Sequence, residues 1–134
     1  ELLSIFFGQW ENGMVPTVRY APGYGEDYLG GSFLPGPGRW GDVPAVSASG
    51  WNTSALAAIP LHAEAALKIF DLSLRGAAAR LWLQELFPPL FRYHDYLHSS
   101  RKDPGTGLVY VYHPWETEIS ADSAMWPDLL RETR

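Results

Sequence analysis

Hydrophobic positions in this 134-residue chain change their spacing near residue 60. From Pro60 onward they recur at helical intervals. Pro60 suits the first position of a helix, where a missing N–H is no loss, and Leu61, Ala65, Leu67, Lys68 and Phe70 carry that helix toward Asp71. The Ala- and Leu-rich stretch from Arg75 to Phe87 predicts a second helix, stopped at Pro88-Pro89 because proline cannot donate to the helical ladder. Pro89 opens a third, with Leu90, Tyr93, His94 and Leu97 on one stripe, running to about Arg101. Asp122 or Ser123 is placed to cap a last helix through Leu129 and Leu130. At the other end, Glu1-Leu2-Leu3-Ser4-Ile5-Phe6-Phe7 reads as the last turns of a helix already under way. The predicted class is all-α.

Residues 8–59 hold most of the glycines, together with Pro16, Pro22, Pro35, Pro37 and Pro44, and sustain no 3.6-residue period. Loops of this length are uncommon in compact domains unless they bind something or are disordered, and aromatics such as Trp10, Tyr24, Phe33, Trp40 and Trp51 speak against plain disorder. Asp103-Pro104-Gly105-Thr106-Gly107 is a turn cluster, and Leu108 to Tyr112 reads as a short strand or an extended loop.

Charge and composition narrow the partners. A formal net charge of −5 with no basic cluster argues against a nucleic-acid backbone. With no cysteine there are no disulfides and no thiolate metal sites, which fits a reducing, cytoplasmic setting. No run approaches the ~20 apolar residues of a membrane span, so no membrane partner is expected. His94 and His98 stand at i, i+4, but Asp95, Tyr96 and Leu97 lie between them and the glutamate of a zinc-binding helix is missing. No metal or other cofactor is expected.

The chemistry concentrates in two strings. In His113-Pro114-Trp115-Glu116 a tryptophan adjoins a carboxylate. An indole face covers the C–H side of a pyranose, and a carboxylate accepts from ring hydroxyls or moves a proton. The plain alternative is a turn with a buried tryptophan and a surface glutamate. In Gly8-Gln9-Trp10-Glu11-Asn12-Gly13 the amides of Gln9 and Asn12 either hold a hydroxyl or satisfy loop backbone, and Trp10 either contacts a sugar or anchors its loop. Trp40 poses the same pair of choices. Arg39 beside it either pairs with an anionic aglycone or forms a structural salt bridge.

Taken in order, Gly8 to Pro16 (GQWENGMVP), Leu34 to Gly41 (LPGPGRWG) and Gly105 to Glu118 (GTGLVYVYHPWETE) resemble glycoside hydrolase family 63, which includes processing α-glucosidases and bacterial hydrolases of glucosylglycerate and mannosylglycerate. The resemblance covers nearly the whole chain. It implies an inverting α-glycosidase built on an (α/α)6 barrel, acting on a small α-glucoside or α-mannoside. A barrel needs several hundred residues, so residues 1–134 are expected to be part of a single catalytic domain, with a helix end and substrate loop over 1–59 and a helical region over 60–134. The expected partners are a small carbohydrate substrate and the remainder of the barrel. A fragment of that kind should leave part of Leu81, Leu86, Leu90 and Leu97 without cover.

The same resemblance implies that Gln9, Trp10, Asn12, Trp40, His113, Trp115 and Glu116 bind substrate, with His113 orienting its loop. It also locates two departures. The family's acid is an aspartate four residues after the glutamate of its HPWE run, where this chain has Ser120. A one-residue slip brings Asp122 into that role, and Glu118 is the second candidate. The glutamine of the family's TSGITQPP run is replaced by Ala58, while His62 matches the His of some members. The family's general base lies downstream of these residues, so the chain contributes at most the acid. Two other readings stay open: a non-catalytic sugar-binding or structural remnant of the same fold, and a helical protein-interaction module.

Overall fold

A computed structural model describes residues 2–20, 53–73, 75–112 and 114–117, in which every regular element is helical and no strand occurs. Helix α1 (Leu2–Ile5) runs into a 3₁₀ turn over Phe6–Gly8. Helix α2 spans His62–Leu72 and helix α3 spans Ala77–Ser100, and the two are in contact. A second 3₁₀ turn covers Pro114–Thr117. The expected last helix, from Asp122 or Ser123, lies outside the described residues. So does most of the aromatic-rich loop.

The two helices expected on either side of Pro88-Pro89 are one. Helix α3 passes straight through both prolines for 24 residues. Each proline interrupts the ladder at a cost near 3 kcal/mol, which is why a break is the natural reading of the sequence. Two features outweigh it. The carbonyls that lose their donors belong to Gln84 and Glu85, both exposed residues, so the loss falls on the solvent-facing side of the helix. The buried stripe of Leu86, Leu90, Tyr93 and Leu97 also runs across the interruption, and burying such side chains contributes about 1.5–3 kcal/mol each. Bending the helix at Pro88 would pull that stripe apart. At its start the helix begins at Ala77 rather than Arg75. Arg75 has φ 54°, a left-handed backbone that no α-helix continues through, and its side chain reaches back to Asp71 at 2.8 Å.

The core is a seam between α3 and the chain on both sides of the long loop. Phe6, Trp10, Met14 and Val15 pack with Ala57 and Ala66 against Leu86, Leu90, Tyr93, Tyr96 and Leu97. The two ends of the loop also pair with each other. Thr17 N donates to Leu56 O at 2.8 Å, Ser54 N to Val18 O at 2.9 Å and Ala58 N to Val15 O at 2.8 Å, giving isolated antiparallel bridges at Pro16–Ala57 and Arg19–Thr53. The sequence shows no period there, because each extended run is only a few residues long.

Gly13 locks this layer to α3. It sits at φ +95° with its α-carbon against the carbonyl of Arg92, which any Cβ would strike. Gln9 secures the same contact, donating from Nε2 to Gly13 O at 2.8 Å and to Pro89 O at 2.9 Å while accepting from Arg92 Nη2 at 2.8 Å. The carbonyl of Pro89 thus gains a side-chain donor.

Of the leucines expected to lack cover, only Leu81 does, at 62% exposed, while Leu86, Leu90 and Leu97 are buried. The uncovered apolar surface lies elsewhere: Phe87 and Phe91 on α3, with ring centroids 6.1 Å apart, and Leu61, Leu67 and Leu72 on and beside α2. On this surface the isolated 134-residue chain is expected to self-associate and to bind a hydrophobic dye such as ANS. A dye-silent monomer with a sharp two-state melt at low concentration would contradict this.

His62 supplies a second test. Its ring lies between Phe6 and Tyr93 in edge-on contacts at 5.4 and 5.6 Å, and its buried Nδ1 has no hydrogen-bond partner. Burial, reinforced by nearby His94, pushes its pKa below the ordinary imidazole value. The unfolded chain therefore takes up a proton there before the folded chain does, so stability falls as pH drops below about 6.5 and continues to fall until the folded-state value is passed. Thermal melts of the wild type should shift down between about pH 7.5 and pH 5.5, and His62→Phe, which keeps the aromatic packing, should reduce that shift. An undiminished shift in the variant would assign the effect to other groups.

Candidate functional site

A cavity of about 420 Å³ opens where the Gly8–Met14 loop, the C-terminal end of α3 and the Tyr112–Thr117 segment meet. Trp10, Tyr96 and Tyr112 contribute aromatic surface, Asn12 and Ser100 contribute polar groups, and Arg101 and Glu116 form a charged wall.

Local chemistry shapes each side. The 10–14 turn closes through Trp10 N to Met14 O at 2.8 Å and Gly13 N to Trp10 O at 2.9 Å, and Asn12 Oδ1 accepts from Met14 N at 3.0 Å. Trp10 is buried, and its indole N–H donates to Thr53 Oγ1 at 2.7 Å across the paired loop ends. On the far side Asp103 builds the expected turn. Its Oδ1 accepts from Thr106 N at 2.6 Å, Thr106 Oγ1 at 2.8 Å and Gly105 N at 3.0 Å, which holds its carboxyl below the usual carboxylate range. That turn folds 108–112 back as an extended loop with one bridge, Lys102–Val109, so that Tyr112 lies over the Arg101 guanidinium at 3.8 Å.

Glu116 occupies the centre. Arg101 Nη1 and Nη2 each donate to it at 2.8 Å, Ala57 N donates at 2.9 Å and Tyr112 N at 2.8 Å. Both side chains of the ion pair are 3% exposed. Burial alone would raise the Glu116 pKa, but the Arg101 hydrogen bonds and the two backbone donors more than reverse this, so it stays below the ordinary value. The carboxylate is ionised, and its lone-pair directions are taken by protein donors. Arg101 Nε donates in turn to the Tyr96 hydroxyl at 2.7 Å.

The structure therefore brings Trp10, Asn12 and Glu116 to one cavity, and it sets the buried Gln9 amide against backbone carbonyls and Arg92 instead. Trp115 joins the Pro114–Thr117 turn through its backbone. Trp40, His113, Glu118 and Asp122 lie outside the described residues. Sequence reasoning missed Arg101, Tyr96 and Thr53. A cation at a helix C-terminus is an ordinary sight, and nothing in spacing pairs Arg101 with a glutamate fifteen residues on. Among the described residues no three His, Asp or Glu side chains gather as a metal set, and no helix is long and apolar enough to cross a membrane.

The chain belongs to the mannosylglycerate hydrolase MGH1-like glycoside hydrolase domain family, whose model matches residues 1–130. It is 30% identical over 131 residues to a mannosylglycerate hydrolase of Rubrobacter radiotolerans, covering 97% of this chain and 28% of that protein. A mannosylglycerate hydrolase of Thermus thermophilus is 32% identical over 127 residues, covering 94% of this chain and 28% of its own length. A glucosylglycerate hydrolase of Mycolicibacterium hassiacum is 30% identical over 133 residues, with the same two coverages, 94% and 28%. The chain thus spans about a quarter of the length of the curated relatives it matches.

The Trp10–Thr53 bond joins the two loop ends behind the cavity. Thr53→Val keeps the shape and leaves the buried indole N–H without its acceptor, so urea unfolding should show a loss of about 1–3 kcal/mol. A change within a few tenths would mean that Trp10 finds another partner.

Proposed function

We propose that the protein containing this chain hydrolyses a small α-glucoside or α-mannoside, of the glucosylglycerate or mannosylglycerate kind, with inversion at the anomeric carbon. The observation that carries the reading is the family match joined to the cavity, in which Trp10, Asn12 and Glu116, drawn from two of the family strings, stand together. Aromatic walls and an amide suit a neutral pyranose, and the only charged groups lining this cavity among the described residues neutralise one another. In this reading residues 1–134 are part of one (α/α)6 catalytic domain, and the uncovered faces at Phe87, Phe91, Leu67 and Leu72 receive further helices of the same domain.

An inverting enzyme needs a carboxylic acid to protonate the leaving oxygen and a carboxylate to activate water, set ~6.5–9.5 Å apart. Asp122 is the first choice for the acid, being the aspartate nearest after the HPWE run, and Glu118 is the second. Trp40, His113 and Trp115 join Trp10 and Asn12 in the sugar-binding set, with Glu116 holding the Pro114–Thr117 turn in place. The base belongs to the remainder of the barrel. Ala58 and Ser120, standing where the family string has Gln and Asp, favour a second reading: a non-catalytic sugar-binding form of the same fold.

The test is sugar release from mannosylglycerate and glucosylglycerate by the full-length protein, with the first anomer formed followed by NMR. Asp122→Asn should lower kcat by at least ~10²-fold, less for substrates whose leaving group needs no proton. Wild-type turnover in that variant moves the role to Glu118. Sugar binding without turnover by the wild type establishes the non-catalytic reading.

A further inference from the structure

The Arg101–Glu116 pair is an odd device if its purpose is stability. Two charges taken out of water regain little over an apolar pair of the same shape, so a buried ion pair is better explained by what it holds in place. What it holds is specific. One carboxylate ties together three stretches distant in sequence: the end of α3 through Arg101, the loop end through Ala57 N, and the returning chain through Tyr112 N. Arg101 is itself fixed on two further sides, by the Tyr96 hydroxyl at 2.7 Å and by the Tyr112 ring at 3.8 Å. Three of these residues, Tyr96, Arg101 and Tyr112, line the cavity together with Glu116.

We propose that Arg101 is a positioning residue of the sugar site: through Glu116 it holds the Pro114–Thr117 turn and the Tyr112 backbone against the Ala57 segment, and so sets the shape of the cavity. The proposal rests on the glycoside-hydrolysing reading for its substrate, while the linkage itself stands on the geometry. Lysine cannot substitute. A guanidinium presents parallel N–H groups to both carboxylate oxygens while Nε binds a third partner and its face lies on an aromatic ring, whereas an ammonium offers a single point of charge. Glu116 does not touch the reacting atoms in this scheme, because its oxygens are already engaged.

The experiment is Arg101→Lys in the full-length protein, read in two independent ways. In amide hydrogen exchange, the Ala57 and Tyr112 N–H groups, both held by Glu116, should exchange about tenfold faster or more than in the wild type, whether or not sugar is hydrolysed. In kinetics, kcat should fall about 10- to 100-fold, the effect of a misplacement on the order of 1 Å, and KM should rise as the cavity wall that receives the sugar shifts. If Arg101→Lys does not fold, Tyr96→Phe, which removes only the acceptor of Arg101 Nε, should move both readings the same way by less. Wild-type protection of both amides overturns the proposal. Lost protection with unchanged kcat also overturns it, since the linkage would then be structural alone. If the wild type hydrolyses neither glycoside, the functional reading fails by itself, and sugar-induced quenching of tryptophan fluorescence replaces kcat: undiminished quenching in Arg101→Lys overturns the proposal.

Discussion

A carboxylate removed from water must be given back the donors it has lost, and Glu116 is given four within 2.9 Å. Most of the site follows from that requirement. Two donors are backbone N–H groups, so satisfying one side chain also fixes two stretches of main chain. The other two come from Arg101, which would cost several kcal/mol to leave unpaired at this depth. Neither member is tolerable without the other, and the cavity wall they form is correspondingly well defined.

The second constraint is the continuity of α3. A single helix of 24 residues is long enough to receive the Gln9–Gly13 turn at its middle and to present Tyr96 and Arg101 at its end. Two separate helices meeting at Pro88 would uncouple these contacts. The prolines are tolerated because their cost falls on the solvent side, at Gln84 and Glu85, while the gain accumulates on the buried side. Gln9 shows how closely loop and helix are joined: its buried amide makes three hydrogen bonds to protein groups and does not line the cavity. Trp10, its neighbour, is anchored through its N–H and still contributes surface to the cavity, so anchoring and wall-building are not alternatives for that residue.

Much of the class was legible in the residues. The helix after Pro60, the helical residues on either side of Pro88-Pro89, the Asp103–Gly107 turn and the helical turn at Leu2–Ile5 all appear in the structure, because local propensity and turn chemistry act over a few residues and are written there. The grouping of Trp10, Asn12 and Glu116 was foreshadowed by strings whose order resembles a family, and family membership follows from a match over residues 1–130. The fate of the prolines was not legible. Their penalty is local and visible in sequence, whereas the packing that outweighs it is not.

The sequence by itself determined that helices follow residue 60, as they do at His62–Leu72 and Ala77–Ser100, and which family its two tryptophan-bearing strings resemble. Only the tertiary structure decided which polar groups are occupied. Gln9 and Glu116 read as candidates for a sugar hydroxyl, and both prove to be bound by protein groups brought from 80 and 15 residues away. Arg101 carries no signal at all until folding sets it beside Glu116. The physical reason is common to these cases: a periodic pattern reports which face of an element is buried, but hydrogen-bond satisfaction depends on partners that only the folded chain brings within 3 Å.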